Sequence, residues 1–189
     1  MEMPLLNSSY PRPIVLRDSR SVLVRPMQPG EGPRVQRFLQ ALPEEERLLQ
    51  EGRLLLSWER SETPGEGALA LLALDGEEAV GVASLARRPG RARAHVGDIG
   101  VAVVPAYRHR GLGSALLREL CEAASALGLE KLIYEAVADL EADAIRAAEW
   151  AGFMRLCILE GGARDPQGRP HDVVIMALPM SRWRQWTRF

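Results

Sequence analysis

The stretch Val96–Leu127 constrains the fold more than any other part of the chain. Val96 to Val104 is an apolar run that reads as a strand, Pro105 to Gly113 as a loop, and Ser114 to Leu127 as a helix. On that helix Leu116, Leu117, Leu120, Ala124 and Leu127 share one broad face, with Arg118, Glu119 and Glu122 elsewhere. Gly128 follows as a stop at C′. The loop carries Arg108-His109-Arg110-Gly111-Leu112-Gly113, an R-x-x-G-x-G pattern. Glycine lets a backbone come close to a ligand and take up unusual φ. The helix start adds unpaired N–H groups and the positive end of a dipole. Together these suit a pyrophosphate. The spacing is not the dinucleotide fingerprint, and no Gly-Lys-Ser/Thr follows to make a P-loop. Two glycines taken alone are equally well explained by a structural turn.

The flanking sequence arranges itself around this unit. Met1 to Pro13 reads as a loose arm, Ile14 to Leu16 as a short strand or extended lead-in, and Ser21 to Arg25 as a first strand closed by Pro26. Pro29 to Leu42 has helical periodicity through Val35, Phe38, Leu39 and Leu42, and Pro43 to Glu46 starts a second helix running toward Ser57. After a loop at Glu62 to Gly67, strands at Ala68 to Leu74 and Ala79 to Arg87 are joined by an Asp75-Gly76 turn. Beyond the central helix come a strand (Lys131 to Ala138), a helix (Glu141 to Ala151) ending at Gly152, and strands at Phe153 to Glu160 and Asp172 to Leu178 around a turn-rich Gly161 to Pro170. The order β-α-α-β-β-β-α-β-α-β-β, without repeat or linker, predicts one mixed α/β domain. The predicted boundaries are an N-terminal arm over 1–20, the domain over 21–180 and an amphipathic tail over 181–189.

Composition excludes several classes. With 189 residues and 47% hydrophobic content, a folded core is affordable. A net charge of −1 argues against a dedicated nucleic-acid or membrane binder. No apolar run approaches the ~20 residues of a membrane span, and no secretory signal pattern opens the chain. Cys121 and Cys157 have no metal or redox spacing and read as buried thiols in a reducing compartment. A cytoplasmic location follows as the default.

The longer string Ile99-Gly100-Val101-Ala102-Val103-Val104-Pro105-Ala106-Tyr107-Arg108-His109-Arg110-Gly111-Leu112-Gly113-Ser114-Ala115-Leu116-Leu117 strongly resembles the acetyl-CoA-binding motif of the GNAT superfamily of acyl-CoA N-acyltransferases. Glu141-Ala142-Asp143-Ala144-Ile145 through Glu149-Trp150-Ala151-Gly152-Phe153 looks like the superfamily's later helix with its closing G-F pair. The resemblance spans about residues 21–180 and implies a central mixed, twisted sheet of about seven strands flanked by about four helices. It implies acetyl-CoA as co-substrate, no metal, and an amine acceptor that is a small molecule or a protein. It also implies that the central strand and the strand at Lys131 to Ala138 splay apart. Val101 and Val103 would then offer main-chain groups to the thioester and pantetheine. Arg108, His109, Arg110, Gly111, Leu112, Gly113 and Ser114 would surround the pyrophosphate. His109 reads as readily as an exposed loop histidine.

An ammonium with a pKa near ~10 must lose its proton before attack, and a carboxylate near the acetyl group is the usual acceptor. Asp98 is the first candidate base and Glu135, on the facing strand, the second; a solvated acid at a strand end is the bland alternative. The sequence departs from the common pattern at Ala148, where many relatives have a tyrosine that protonates the leaving thiolate, and at Glu141, where an Asn often opens the helix. Tyr134 is a substitute acid or a core residue. Leu16-Arg17-Asp18 ahead of Val22-Leu23-Val24-Arg25-Pro26, and Gly168-Arg169-Pro170-His171-Asp172 with the strand after it, are similar to the bacterial protein-lysine acetyltransferase-like group. Two features stand outside the resemblance. Arg87, Arg88, Arg91 and Arg93 crowd one hairpin as a solvated turn or a site for an acidic partner or nucleic acid. Trp183, Trp186 and Phe189 recur every third residue, as a face packed on the domain or on a second copy in a homodimer in preference to a membrane surface. A competing class is a non-catalytic acyl-CoA-binding or interaction module.

Overall fold

The computed structural model describes residues 10–50 and 68–186. Its centre is one sheet of eight strands among these residues, in the order β1-β2-β3-β4-β5-β6-β8-β7. The strands are β1 (Arg12–Val15), β2 (Ser21–Pro26), β3 (Ala68–Asp75), β4 (Glu78–Arg87), β5 (Val96–Val103), β6 (Lys131–Val137), β7 (Met154–Arg164) and β8 (Pro170–Pro179). The helices are α1 (Gly32–Gln40), α2 (44–50), α3 (Leu112–Ala126), α4 (Ala142–Trp150) and α5 (Met180–Trp186). Every neighbouring pair is antiparallel except β5 and β6. The mixed α/β single domain predicted from the element order is thus the fold. The expected run of α2 toward Ser57 and the loop at Glu62 to Gly67 lie outside the described residues.

Two boundaries differ from the sequence reading. Part of the predicted loose arm is strand: Arg12 to Val15 pairs with Ser21 to Val24 and adds an eighth strand at the edge. Tyr10 and Arg12 then reach α3, where the Tyr10 hydroxyl donates to Glu119 (2.8 Å) and Arg12 bonds Glu122 (2.7 Å). Burial, and then the hydrogen bond to Glu119, push the Tyr10 phenol up. These are long-range contacts that a polar, proline-rich segment does not advertise. The turn-rich segment 161–170 is also shorter than expected. β7 continues through bulged glycines to Arg164, because Ala163 and Arg164 find partners in His171 and Pro170. The remaining turn is organised by Asp165, which accepts the backbone N–H groups of Gln167 and Arg169.

The core forms where α3 lies on β4 and β5. Leu112, Leu116 and Leu120 are fully buried, each contributing about 2 kcal/mol relative to exposure. The helix approaches so closely that a Cβ at Gly81 would lie 2.9 Å from Leu116 Cδ1. Cys121 belongs to this core, and burial pushes its thiol up to about 12. Cys157 does not: it is exposed, because β7 is an edge strand. At the far end Met180 is buried, Trp183 packs on the core, and Arg184 donates to the carbonyl of Leu129 (3.1 Å).

Candidate functional site

The site begins where the sheet forks. β5 and β6 are paired from Val96 with Lys131 to Ile99 with Tyr134, and the pairing stops there. Beyond that point β5 stays on β4, while β6 stays on β8. The splay predicted between these strands is therefore present. Hydrogen-bonding direction alternates along a strand. The carbonyl of Val96 accepts from Arg88 N on the β4 side, whereas the carbonyl of Val103 accepts from Arg108 Nε (3.0 Å) on the other. Odd-numbered residues thus turn their main-chain groups into the fork, which places those of Val101 and Val103 there.

A cavity of about 1040 Å³ fills the fork. Its walls include Val101 and Val103 of β5, Gly111, Gly113, Ser114 and Arg118 around the start of α3, Glu141, Arg146 and Trp150 along α4, and Glu46 and Gln50 of α2. Gly111, at φ +90°, is the N-cap of α3, and the non-glycine His109 just before it sits at φ +58°. This left-handed turn swings the chain from loop to helix and presents the α3 N-terminus to the cavity.

The loop residues divide into those that face the cavity and those spent on holding the loop. Gly111, Gly113 and Ser114 line it. His109 lines it too, 75% exposed and 3.4 Å from Asp143. Arg108 lines it but is fully engaged, with Nε on Val103 and both terminal nitrogens on Glu46. Arg110 turns away from the cavity onto Asp18, and Leu112 is buried in the core. The β1–β2 turn braces the loop: Arg17 N donates to Arg110 O (3.0 Å), and Arg20 stacks on Tyr107, whose hydroxyl donates to Asp75.

Sequence reasoning missed Arg17, Arg118, Gln50 and Trp150. Arg118 is one turn after Ser114, so helical spacing could have found it. Arg17 reaches the loop from a distant turn, with its side chain 3.8 Å from the position a Cβ would take at Gly111. No local signal announces that. Trp150 is 87% exposed at the cavity rim.

The two candidate bases lie on the other face of the sheet. Side chains alternate along β5, so Asp98 points away from Val101 and Val103. Its register partner Ile133 shares a cluster with Val96, and Glu135 follows Ile133 on that face. Both Asp98 oxygens accept from Arg88, at 2.7 to 3.0 Å. Glu135 is exposed, immediately past Tyr134, the last residue of β6 paired with β5. Neither acid lines the cavity. Ala148 is fully buried, and Tyr134 is buried edge-to-face on Phe153 (6.4 Å), so Tyr134 is a core residue. Of the arginine hairpin, Arg87 donates to the carbonyls of Ala94 and Leu127, and Arg88 serves Asp98.

A further ionic group sits where the β7–β8 turn meets the cavity rim. His171 Nδ1 is 2.8 Å from Asp139, which lines the cavity, and Nε2 is 3.5 Å from the buried Asp165. The bond to Asp139 raises the imidazole pKa above its ordinary value, against an opposing effect of burial. Among the described residues no cluster of His, Cys, Asp or Glu has the arrangement of a metal site.

Solved structures similar to this fold include acetyltransferases from several bacteria. A GNAT-family acetyltransferase from Streptococcus pneumoniae is 22% identical, with a TM-score of 0.67, covering 84% of this chain and 99% of that one. The GNAT domain of PAT from S. lividans is 20% identical (TM-score 0.70; 89% and 96% covered). A phosphinothricin acetyltransferase from Sinorhizobium meliloti, solved in complex with AcCoA, is 21% identical (TM-score 0.66; 84% and 88% covered). At these identities the likeness is one of fold. No curated protein matches the chain. Residues 33–153 match the family model described as Acetyltransferase (GNAT) family. The chain belongs to that family, the GNAT superfamily of acyl-CoA N-acyltransferases.

Proposed function

We propose that the protein transfers the acetyl group of acetyl-CoA to a primary amine by direct attack. The observation that carries this reading is the fork. A cavity opens on one face of it, and two carboxylates stand on the other, so donor and acceptor can approach from opposite faces and meet where β5 and β6 part. The cavity suits an acyl-CoA: the β5 backbone at Val101 for the pantetheine, a helix start for the pyrophosphate, and Arg17 and Arg118 for further phosphate charge.

In the reaction the amine nitrogen attacks the thioester carbon, a C–N bond forms, and the C–S bond breaks. The N–H of Val101 is the group of this chain we assign to stabilise the developing oxyanion. A carboxylate takes the amine proton. Of Asp98 and Glu135 we favour Glu135, since it directly follows the last β5–β6 pair whereas both oxygens of Asp98 are held by Arg88. With alanine at 148, coenzyme A leaves as its thiolate, which a thiol pKa near ~8.5 permits at modest cost.

The acceptor is a small-molecule or protein amine. The likeness of residues 16–26 and 168–176 to the protein-lysine acetyltransferase-like group makes lysine peptides the first to try. We read the location as cytoplasmic; no helix among the described residues is long and apolar enough to cross a membrane. The buried Ala148 favours one other reading, an acyl-CoA-binding module without catalysis. Thiol release from acetyl-CoA in the presence of a panel of amines, including lysine peptides, decides between them. Amine-dependent release is the expected result. Binding of acetyl-CoA without release for any amine would leave the binding module.

A further inference from the structure

Helix α2 stands over the fork and touches both branches. Glu46 holds Arg108, which caps the Val103 carbonyl of β5. One turn later, Gln50 reaches the β6 side: its Nε2 donates to Glu141 Oε1 (3.1 Å), and Val137 N donates to Glu141 Oε2 (2.7 Å). Gln50 and Glu141 are 4% and 9% exposed. A carboxylate only accepts hydrogen bonds, so this contact fixes the amide with its nitrogen on Glu141 and its oxygen turned away. That oxygen is buried, has no hydrogen-bond partner, and belongs to a residue lining the cavity. A buried acceptor left unmatched costs stability, and such groups mark places where a ligand completes the bonding.

We propose that Gln50 Oε1 is a ligand-binding group that accepts a hydrogen bond from an N–H of a molecule held in the fork, an inference that rests on the acetyl-CoA reading above. Two sources of that N–H exist in the reaction: an amide of the pantetheine arm and the acceptor amine. The pantetheine is the nearer source, because Gln50 shares its cavity with Val101 and Val103, while Asp98 and Glu135 lie on the opposite face. Glu141 is the positioning residue that orients the amide.

The test is calorimetric titration of the full chain and of Gln50→Met with coenzyme A and with 3′,5′-ADP, which carries phosphates but no amide. Roughly three- to tenfold weaker coenzyme A binding in the variant, with 3′,5′-ADP affinity unchanged, is the expected result. Unchanged affinity for both, together with a similar rise in KM for the amine, would assign the N–H to the acceptor instead. No change in any of these overturns the proposal. If the wild-type chain binds neither coenzyme A nor 3′,5′-ADP, the acetyl-CoA reading itself fails and this inference falls with it. Should the Met variant melt before assay, Gln50→Asn, which keeps the amide but withdraws its oxygen by one methylene, gives the same comparison.

Discussion

Arg88 holds both oxygens of Asp98 by hydrogen bonds, whereas Glu135, on the same face, acts on Arg88 only as a nearby charge. The two acids are therefore separable by substitution. Glu135→Gln is expected to lower kcat/KM for a basic amine by ~10²–10⁴ and to flatten the acidic limb of the pH–rate profile, with coenzyme A affinity kept. A near-normal rate in Glu135→Gln beside a loss of that size in Asp98→Asn would give the role to Asp98. Loss of coenzyme A binding along with rate would mark either acid as structural. His171 supports a second prediction. Asp139 raises its pKa in the folded chain, with Asp165, itself bound to Arg169, on its other side. A raised folded pKa means stability that is fully present below the unfolded value of about 6.5 and lost as pH rises through the folded one. The melting-temperature gap between wild type and His171→Gln should thus be widest in mildly acidic buffer and close toward alkaline pH. A gap independent of pH would show that the imidazole is not charged in the folded protein.

At the scale of elements, the loop and the start of α3 form one device. A Cβ at Gly113 would lie 3.9 Å from Val103 Cγ2, an ordinary contact, so Gly113→Val should fold. It would nevertheless put branched carbon where the backbone must approach phosphates, and coenzyme A affinity should fall by at least about tenfold. Wild-type affinity in that variant would refute the loop assignment. Gly111 differs: its φ of +90° would strain any L-residue, so changes there would confound folding with binding. The loop was legible in the sequence because its signals are local: glycine spacing, an apolar strand before it, and 3.6-residue periodicity after it. The division of labour within it was not. Arg108 and Arg110 look like phosphate ligands on paper, yet Glu46 and Asp18, far away in the chain, claim them.

At the scale of the molecule, α5 closes the fold by laying Trp183 on the core and tying Arg184 to Leu129 in the link between α3 and β6. Deleting residues 181–189 should lower the melting temperature by roughly 4–10 °C, the loss of about 2–3 kcal/mol of aromatic burial in a domain this size. Unchanged melting and unchanged sedimentation would show that the tail adds nothing to the fold or to assembly. The alternation of strands and helices, the turn at Gly76, the helix faces and the family string are all short-range patterns, and the sequence by itself determined them: the class of fold, the central unit and the direction of the chain through it. Only the tertiary structure decided the rest. The N-terminal segment became an edge strand because β2 offered an unpaired edge. The fork opened because, beyond Tyr134, β5 follows β4 and β6 follows β8, and the two no longer pair with each other. The partners of the site, Arg17, Gln50 and Glu141, met there because folding brought three separate turns of chain to one cavity. Pairing and burial between distant segments are energies of the assembled chain, and no local pattern records them.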